Sequence, residues 1–122
     1  MTIDPQMDGL EGTWTALVHS LASRPRQELE LSAIAPGDRV LVKTRNTRYL
    51  LTWRGPGLAE LQTDSAKAPS GPVRVMGCGF GLSSSIKPDA LFCGGNLEFT
   101  HRDGTKRWTT SEIEEIHLHH RS

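Results

Sequence analysis

The sequence predicts a mainly β protein, a small SH3-like or related closed β-barrel of six to eight short strands with one N-terminal α-helix. Only residues 9–23 space their apolar side chains with the period of a helix. After residue 25, turn-forming Pro, Gly, Asn and Asp recur at short intervals, and the segments between them have the character of strands. Such a meander commonly closes into a barrel, because closure removes the exposed strand edges.

Length and charge exclude several classes of protein. The 122 residues correspond to a single domain, since one domain takes about 100–200 residues. Fourteen Lys plus Arg balance fourteen Asp plus Glu, so no charge field of one sign surrounds the whole protein. Attraction to nucleic acid or to an anionic surface therefore requires a local patch.

The N-terminal helix is predicted over residues 9–24, after a flexible segment at 1–8 and before the barrel domain at 25–119. Asp8 and Glu11 have the spacing of a capping box, and Pro25 ends the helix. Its apolar stripe is an interaction element that covers one open end of the barrel or docks on a second subunit, which would make a homo-oligomer. The stripe consists of Leu10, Trp14, Leu17, Val18 and Leu21.

The clearest hairpin joins Arg39–Thr44 to Arg48–Trp53. Side chains alternate across a strand, so one face of this hairpin is apolar and the other is basic, with Leu41 and Leu50 falling on the basic side. A second hairpin is predicted at Asn96–His101 and Lys106–Thr109, around the favoured turn pair Asp103-Gly104. Further strands are predicted at Gln27–Leu31, Leu58–Gln62, Val73–Met76 and Ile113–His117, and a polar loop at 63–72.

A basic patch on the first hairpin is the strongest functional signal. Its five cations stand against the single acid Asp38, and they are Arg39, Lys43, Arg45, Arg48 and Arg54. Such a strand face can follow a phosphate backbone, as small barrels that bind single strands do. It can equally be a solvated edge that blocks aggregation or contacts the acidic N-terminal segment. Tyr49 and Trp53 alternate onto the apolar side, which is typical of core residues.

The segment Gly77–Gly81 has many glycines, but it lacks the Gly-Lys-Ser/Thr ending of a phosphate-binding loop. We therefore predict a bulge or tight bend in a strand. Ser84 and Lys87 have the spacing of a serine acyl-transfer motif, which requires a helix that Pro88 disfavours.

Cys78 and Cys93 are predicted to be reduced, and no local signature pairs either thiol with a histidine base. His117 and His119 fall on one side of the last strand and could hold a metal with His101 or Glu115. Two imidazoles are too few to define a site. The sequence thus predicts no catalytic residues, no metal site and no cofactor.

The N-terminus carries no export signal and the apolar stretches are short, so we expect a cytoplasmic protein without a membrane span. The expected function is a non-enzymatic small β-barrel module for binding or assembly, with an unknown protein partner or self-association. The alternative is binding of RNA or single-stranded nucleic acid through the basic hairpin, and the third hypothesis is a small thiol or metal enzyme.

Several motifs between residues 36 and 116 resemble a family of small bacterial proteins to which no activity is assigned. The run Gly37–Asn46 matches a Gly-Asp-x-Val-x-Val-x-Thr-x-Asn opening. Ser84–Lys87, Gly95–Phe99 and Thr109–Ser111 match its Ser-x-x-Lys, Leu-Glu-Phe and Thr-Thr-Ser runs. Phe92–Gly95 replaces the apolar run expected before Leu-Glu-Phe. The resemblance implies a small bacterial β-barrel and assigns no catalytic residues.

Overall fold

A computed structural model describes residues 25–64, 70–80, 86–101 and 106–120. These residues form a mainly β fold with one short 3-10 turn at Leu31–Ala33. The strands are β1 (Glu28–Glu30), β2 (Arg39–Thr44), β3 (Arg48–Gly55), β4 (Leu58–Thr63), β5 (Gly71–Gly79), β6 (Ile86–Lys87), β7 (Ala90–Phe92), β8 (Asn96–His101) and β9 (Arg107–His119). The predicted N-terminal helix at 9–24 lies outside the described residues.

Seven strands form one antiparallel sheet in the order β4-β3-β2-β9-β8-β5-β6. Strand β4 also pairs with β5, so the sheet curls into a near-ring. The long strand β9 makes this curvature possible because its first half pairs with β8 and its second half with β2. The remaining strands, β1 and β7, pair in a separate two-stranded sheet.

The hydrophobic core lies on the inner face of the near-ring. Val40 and Val42 of β2, Leu51 of β3 and Ile116 of β9 are fully buried there. Alternation along each strand produces this face, as predicted for the first hairpin. Tyr49 and Trp53 belong to the same core cluster, which confirms their assignment as core residues.

The small sheet packs against the same core through Leu29 and Leu91. The chain then passes through Ile34 into a tight turn before β2, where the Asp38 carboxylate accepts a hydrogen bond from the Ala35 amide at 2.9 Å. The buried Asp38 also lies 3.1 Å from His120 Nδ1. This turn is tied to the end of β3, because the Trp53 amide donates to the Asp38 carbonyl at 2.8 Å.

Two of the predicted boundaries are wrong. The strands predicted at Lys106–Thr109 and Ile113–His117 are one continuous strand, β9. The polar loop predicted at 63–72 is shorter, because β4 includes Thr63 and β5 begins at Gly71. In both places the strand continues through polar residues because they pair with a neighbouring strand, although their composition does not predict a strand.

The predicted bulge in the glycine-rich segment is confirmed. The register between β5 and β8 shifts between Val75 and Gly77, where one residue is left over. Gly77 has a φ of 118°, and an added Cβ would overlap the carbonyl oxygen of Lys87. The same strand then continues through Cys78 to pair with β6, so Lys87 lies in a strand and not in the helix that an acyl-transfer motif requires.

Candidate binding surface

The structure divides the five predicted cations between two ends of the sheet. Arg45 and Arg48 lie at the β2–β3 turn. Arg39 and Arg54 lie at the opposite end of the same hairpin, where β2 begins and β3 approaches its end. Lys43 precedes the turn on β2. The cations therefore form two groups, and in the group at the turn Arg48 directly precedes Tyr49 on β3.

Two of these cations have acidic partners. Arg48 Nε lies 2.9 Å from Asp64 Oδ2, and the Arg48 amide donates to the same carboxylate at 2.8 Å. Lys43 Nζ lies 3.7 Å from Glu115 Oε2. These contacts are partly exposed and weak, yet they lower the local positive charge that a phosphate would meet. The folded patch therefore has less net positive charge than the count of its cations in the sequence predicts.

The centre of the predicted basic face is apolar and buried. Leu41 and Leu50 are directly paired across β2 and β3 on the side opposite the core, and each is only 1% exposed. His117, paired with Leu41 from β9, is 4% exposed. We call this side of β3, β2 and β9 the outer face. Its cations form a rim around a covered apolar centre.

Four aromatic rings form a chain across the end of the near-ring that carries the β2–β3 turn. Tyr49 contacts Phe99 edge-on at 6.3 Å between centroids. Phe99 contacts His101 at 6.0 Å, and His101 contacts Trp108 at 6.2 Å. We call Tyr49, Phe99, His101 and Trp108 the aromatic end. Tyr49 and Phe99 are buried, whereas His101 and Trp108 are partly exposed.

The aromatic end is also cationic. Lys106 Nζ lies 4.8 Å from the centroid of the Trp108 ring, a cation–π contact. Arg45 on the neighbouring turn is exposed. Burial raises the pKa of the Tyr49 phenol and the nearby Asp64 carboxylate adds to the effect, while a hydrogen bond with Thr47 opposes it. Tyr49 is therefore a neutral member of this group at physiological pH.

No pattern in the sequence places His101, Trp108 and Lys106 together as a binding group. His101 and Trp108 lie on the same side as Phe99 because β8 alternates and β9 pairs Trp108 with Phe99. The sequence predicts the hairpin of β8 and β9, but it does not predict the register in which the two strands pair. The Lys-x-Trp spacing of Lys106 and Trp108 was the available signal.

The two thiols are not poised for nucleophilic chemistry. Cys78 is fully buried in the core, and burial raises its pKa to about 11. Burial also raises the pKa of Cys93, whose Sγ lies 3.5 Å from the carbonyl oxygens of Arg26 and Glu114. Catalytic cysteines require the opposite shift, toward the thiolate. Neither cysteine forms a disulfide, as predicted.

The C-terminal histidines do not gather as a metal site within the described residues. His117 is buried with Nε2 2.9 Å from Glu115 Oε1, while His119 is exposed. His101 lies at the aromatic end instead. No cluster of three or more metal-ligating side chains occurs among residues 25–64, 70–80, 86–101 and 106–120. The Glu115 carboxylate has a lowered pKa, chiefly because of its hydrogen bond with His117.

The interaction stripe Leu10, Trp14, Leu17, Val18 and Leu21 lies outside the described residues, as does Ser84. In the described part of the chain, no helix has the length and apolar character needed to cross a membrane. Comparison of the chain with protein-family models, with curated proteins and with solved structures gave no match.

Proposed function

We propose that this protein is a non-enzymatic module of the SH3-like or a related β-barrel class that works by binding, and that the aromatic end is its binding surface. The observation that carries the proposal is the partly exposed Trp108 ring with Lys106 4.8 Å above it. Exposed aromatic rings beside cations suit a ligand that is planar and anionic. We further propose a cytoplasmic location and membership of the small bacterial family that the motifs resemble.

Single-stranded nucleic acid is the ligand class that fits this chemistry. Its unpaired bases stack on aromatic side chains, and its phosphates pair with Lys and Arg. The aromatic end offers Trp108 and His101 for stacking, with Lys106 and Arg45 for the backbone. The covered outer face favours this end over the face of Arg39 and Lys43, since the apolar centre there is already buried.

The buried and paired titratable groups support the non-enzymatic part of the proposal. Cys78 is held as a thiol by its raised pKa. The carboxylate of Glu98, which is buried, lies 3.1 Å from Arg107 Nε and 3.5 Å from Thr109 Oγ1. A nucleophile or a general base needs access to a substrate, and neither group has it.

Titration of a short labelled oligouridylate with the full chain at low salt tests the proposal. Trp108→Ala should weaken binding about tenfold or more, because stacking contributes about 1–3 kcal/mol per base. Lys106→Gln should weaken binding while keeping the Trp108 ring, which packs against the core and is partly exposed. Arg54→Ala, an exposed cation at the other end of the hairpin, is the matched control and should bind like the wild type.

Equal affinity of the wild type and both aromatic-end variants would contradict the proposal. Light scattering on the same samples distinguishes an assembly role. If the wild type forms a stable oligomer that Trp108→Ala dissociates, the aromatic end binds a second copy of the chain and not nucleic acid.

A further inference from the structure

The outer face of β2 and β3 holds two buried leucines that lie on the side opposite the core. Leu41 and Leu50 are buried, yet they do not belong to the core cluster on the inner face. Their neighbours on the same face are polar or charged, including Arg39, Lys43 and Thr52. The outer side of a curled sheet is convex, so polar rim side chains alone do not bury two leucines to 1% exposure each.

We propose that residues 10–21 of this chain pack on the outer face, with the stripe that contains Trp14 and Leu17 against Leu41, Leu50 and His117. This inference concerns a different surface from the aromatic end and does not depend on the proposed function. It also differs from the sequence prediction, in which the stripe covers an open end of the barrel or docks on a second subunit.

Composition selects this segment among the parts of the chain outside the described residues. Residues 65–69 contain Ser, Ala, Lys and Pro, and residues 102–105 contain Arg, Asp, Gly and Thr. Residues 81–85 contribute one large apolar side chain, Leu82, and residues 121–122 contribute none. Residues 10–21 contain five, spaced on one side of a helix. Residues 1–9 contribute three, Met1, Ile3 and Met7, so residues 10–21 hold the largest number of apolar side chains among these segments.

The first residues that the structure describes lie at the edge of β9, and β9 forms part of the outer face. The Arg26 amide donates to the Ile116 carbonyl at 2.7 Å, which places Arg26 next to His117 on β9. Because β2 occupies the other edge of β9, the distance from Arg26 to β3 is three strand spacings, about 14 Å. The residues between Leu21 and Arg26 can extend to about 17 Å, and a helix over residues 10–21 is about 18 Å long. A helical segment of this length, joined to Arg26, would be long enough to cross all three strands.

Charge is complementary at the rim. Residues 1–23 carry Asp4, Asp8 and Glu11 and no Lys or Arg. The rim of the outer face carries Arg39, Lys43 and Arg48. Acidic groups near the start of the helix also favour its dipole. The segment thus matches the outer face both in its apolar stripe and in the sign of its charge.

Nuclear Overhauser contacts in the labelled full-length protein test the inference. The Trp14 indole protons should show contacts with the Leu41 and Leu50 methyl groups. In a mixture of labelled and unlabelled chains, an isotope-filtered experiment should show no such contact between chains. Contacts seen only between chains would overturn the inference in favour of a second copy of the chain. The inference would also be overturned if Leu41 and Leu50 showed contacts only with residues outside 10–21.

A substitution in the segment gives a second test that leaves residues 25–120 unchanged. Leu17→Asp should undock the stripe, and the relaxation of the Leu41 and Leu50 methyls by a soluble gadolinium chelate should rise to the level of exposed methyls. Leu61, in the core, should keep its wild-type protection. Unchanged protection of Leu41 and Leu50 in this variant would contradict the inference. The Trp108 signals report the aromatic end separately, so failure here leaves the proposed function standing.

Discussion

Cys78 shows how the environment of one side chain decides its chemistry. It lies on β5, paired with Leu97 of β8; its side chain is fully buried in the core, and burial raises the pKa of its thiol to about 11. A hydrogen bond between the thiol and the Phe92 backbone lowers the pKa of Cys78, but burial has the larger effect. The residue therefore acts as a small apolar side chain of the core.

The raised pKa of Cys78 predicts a loss of stability at alkaline pH. Below about pH 8.5 the thiol is protonated in both states, so its contribution is complete. Above that pH the unfolded thiol ionises first, and stability falls by about 1.4 kcal/mol per pH unit until the folded thiol titrates. The advantage of the wild type over Cys78→Ala in urea unfolding should therefore shrink by about 2 kcal/mol between pH 8 and pH 10.

Other groups that titrate in this range, such as Tyr49, are present in both proteins and cancel in the difference. Cys93→Ala is the matched control, because Cys93 is only partly buried and should give a smaller change. A wild-type advantage that is the same at both pH values would show that Cys78 is not protected from ionisation in the folded state.

At the scale of the element, Gly77 allows β5 to bulge and to pack closely on the turn after β6. It has a φ of 118°, and an added Cβ would overlap Lys87 O and lie 2.7 Å from Pro88 Cα. Gly77→Ala should lower the free energy of unfolding by about 2–5 kcal/mol, the sum of backbone strain and overpacking. Thermal or urea unfolding measures this change.

Gly55→Ala is the control within the same fold. Gly55 ends β3, has no positive φ, and has no atom within 4 Å of an added Cβ. This variant should lie within about 1 kcal/mol of the wild type. Equal stability of the two variants would mean that the bulge does not require glycine at residue 77.

The elements that the sequence predicted well are those with strong alternation and clear turns. Strand β2 has its predicted bounds, and β3 begins as predicted and ends two residues later, because the Val-Leu-Val and Tyr-Leu-Leu runs flank a polar turn. Strands β6 and β7 were not predicted, since two and three residues are too few to show a period. Their positions depend on pairing with distant strands β5 and β1, which no local pattern encodes.

The candidate surface was only partly predictable for the same reason. Alternation correctly placed Lys43 and Arg48 opposite the core, but it could not show that Glu115 and Asp64 lie beside them. Nor could it show that Leu41 and Leu50 are covered, because exposure depends on what packs over a strand and not on its own residues. The aromatic end required the register of β8 against β9.

At the scale of the whole molecule, an electrically balanced chain acquires distinct surfaces through folding. Fourteen charges of each sign leave no net field, so any anion must be attracted locally. The outer face combines a charged rim with an apolar centre, whereas the aromatic end combines cations with partly exposed rings. The first arrangement suits a polypeptide cover, and the second suits a planar anionic ligand.

The salt dependence of oligonucleotide binding by variants of the 122-residue chain tests whether the aromatic end binds single-stranded nucleic acid. If Arg45 and Lys106 contact phosphates, replacing both with Gln should reduce the slope of log affinity against log salt by about 1.4, since each contact with a single strand contributes about 0.7. Replacing Arg39 and Arg54, at the opposite end of the hairpin, should leave the slope unchanged. Binding at the aromatic end is contradicted if the wild type does not bind at low salt. It is also contradicted if the slope changes only when Arg39 and Arg54 are replaced.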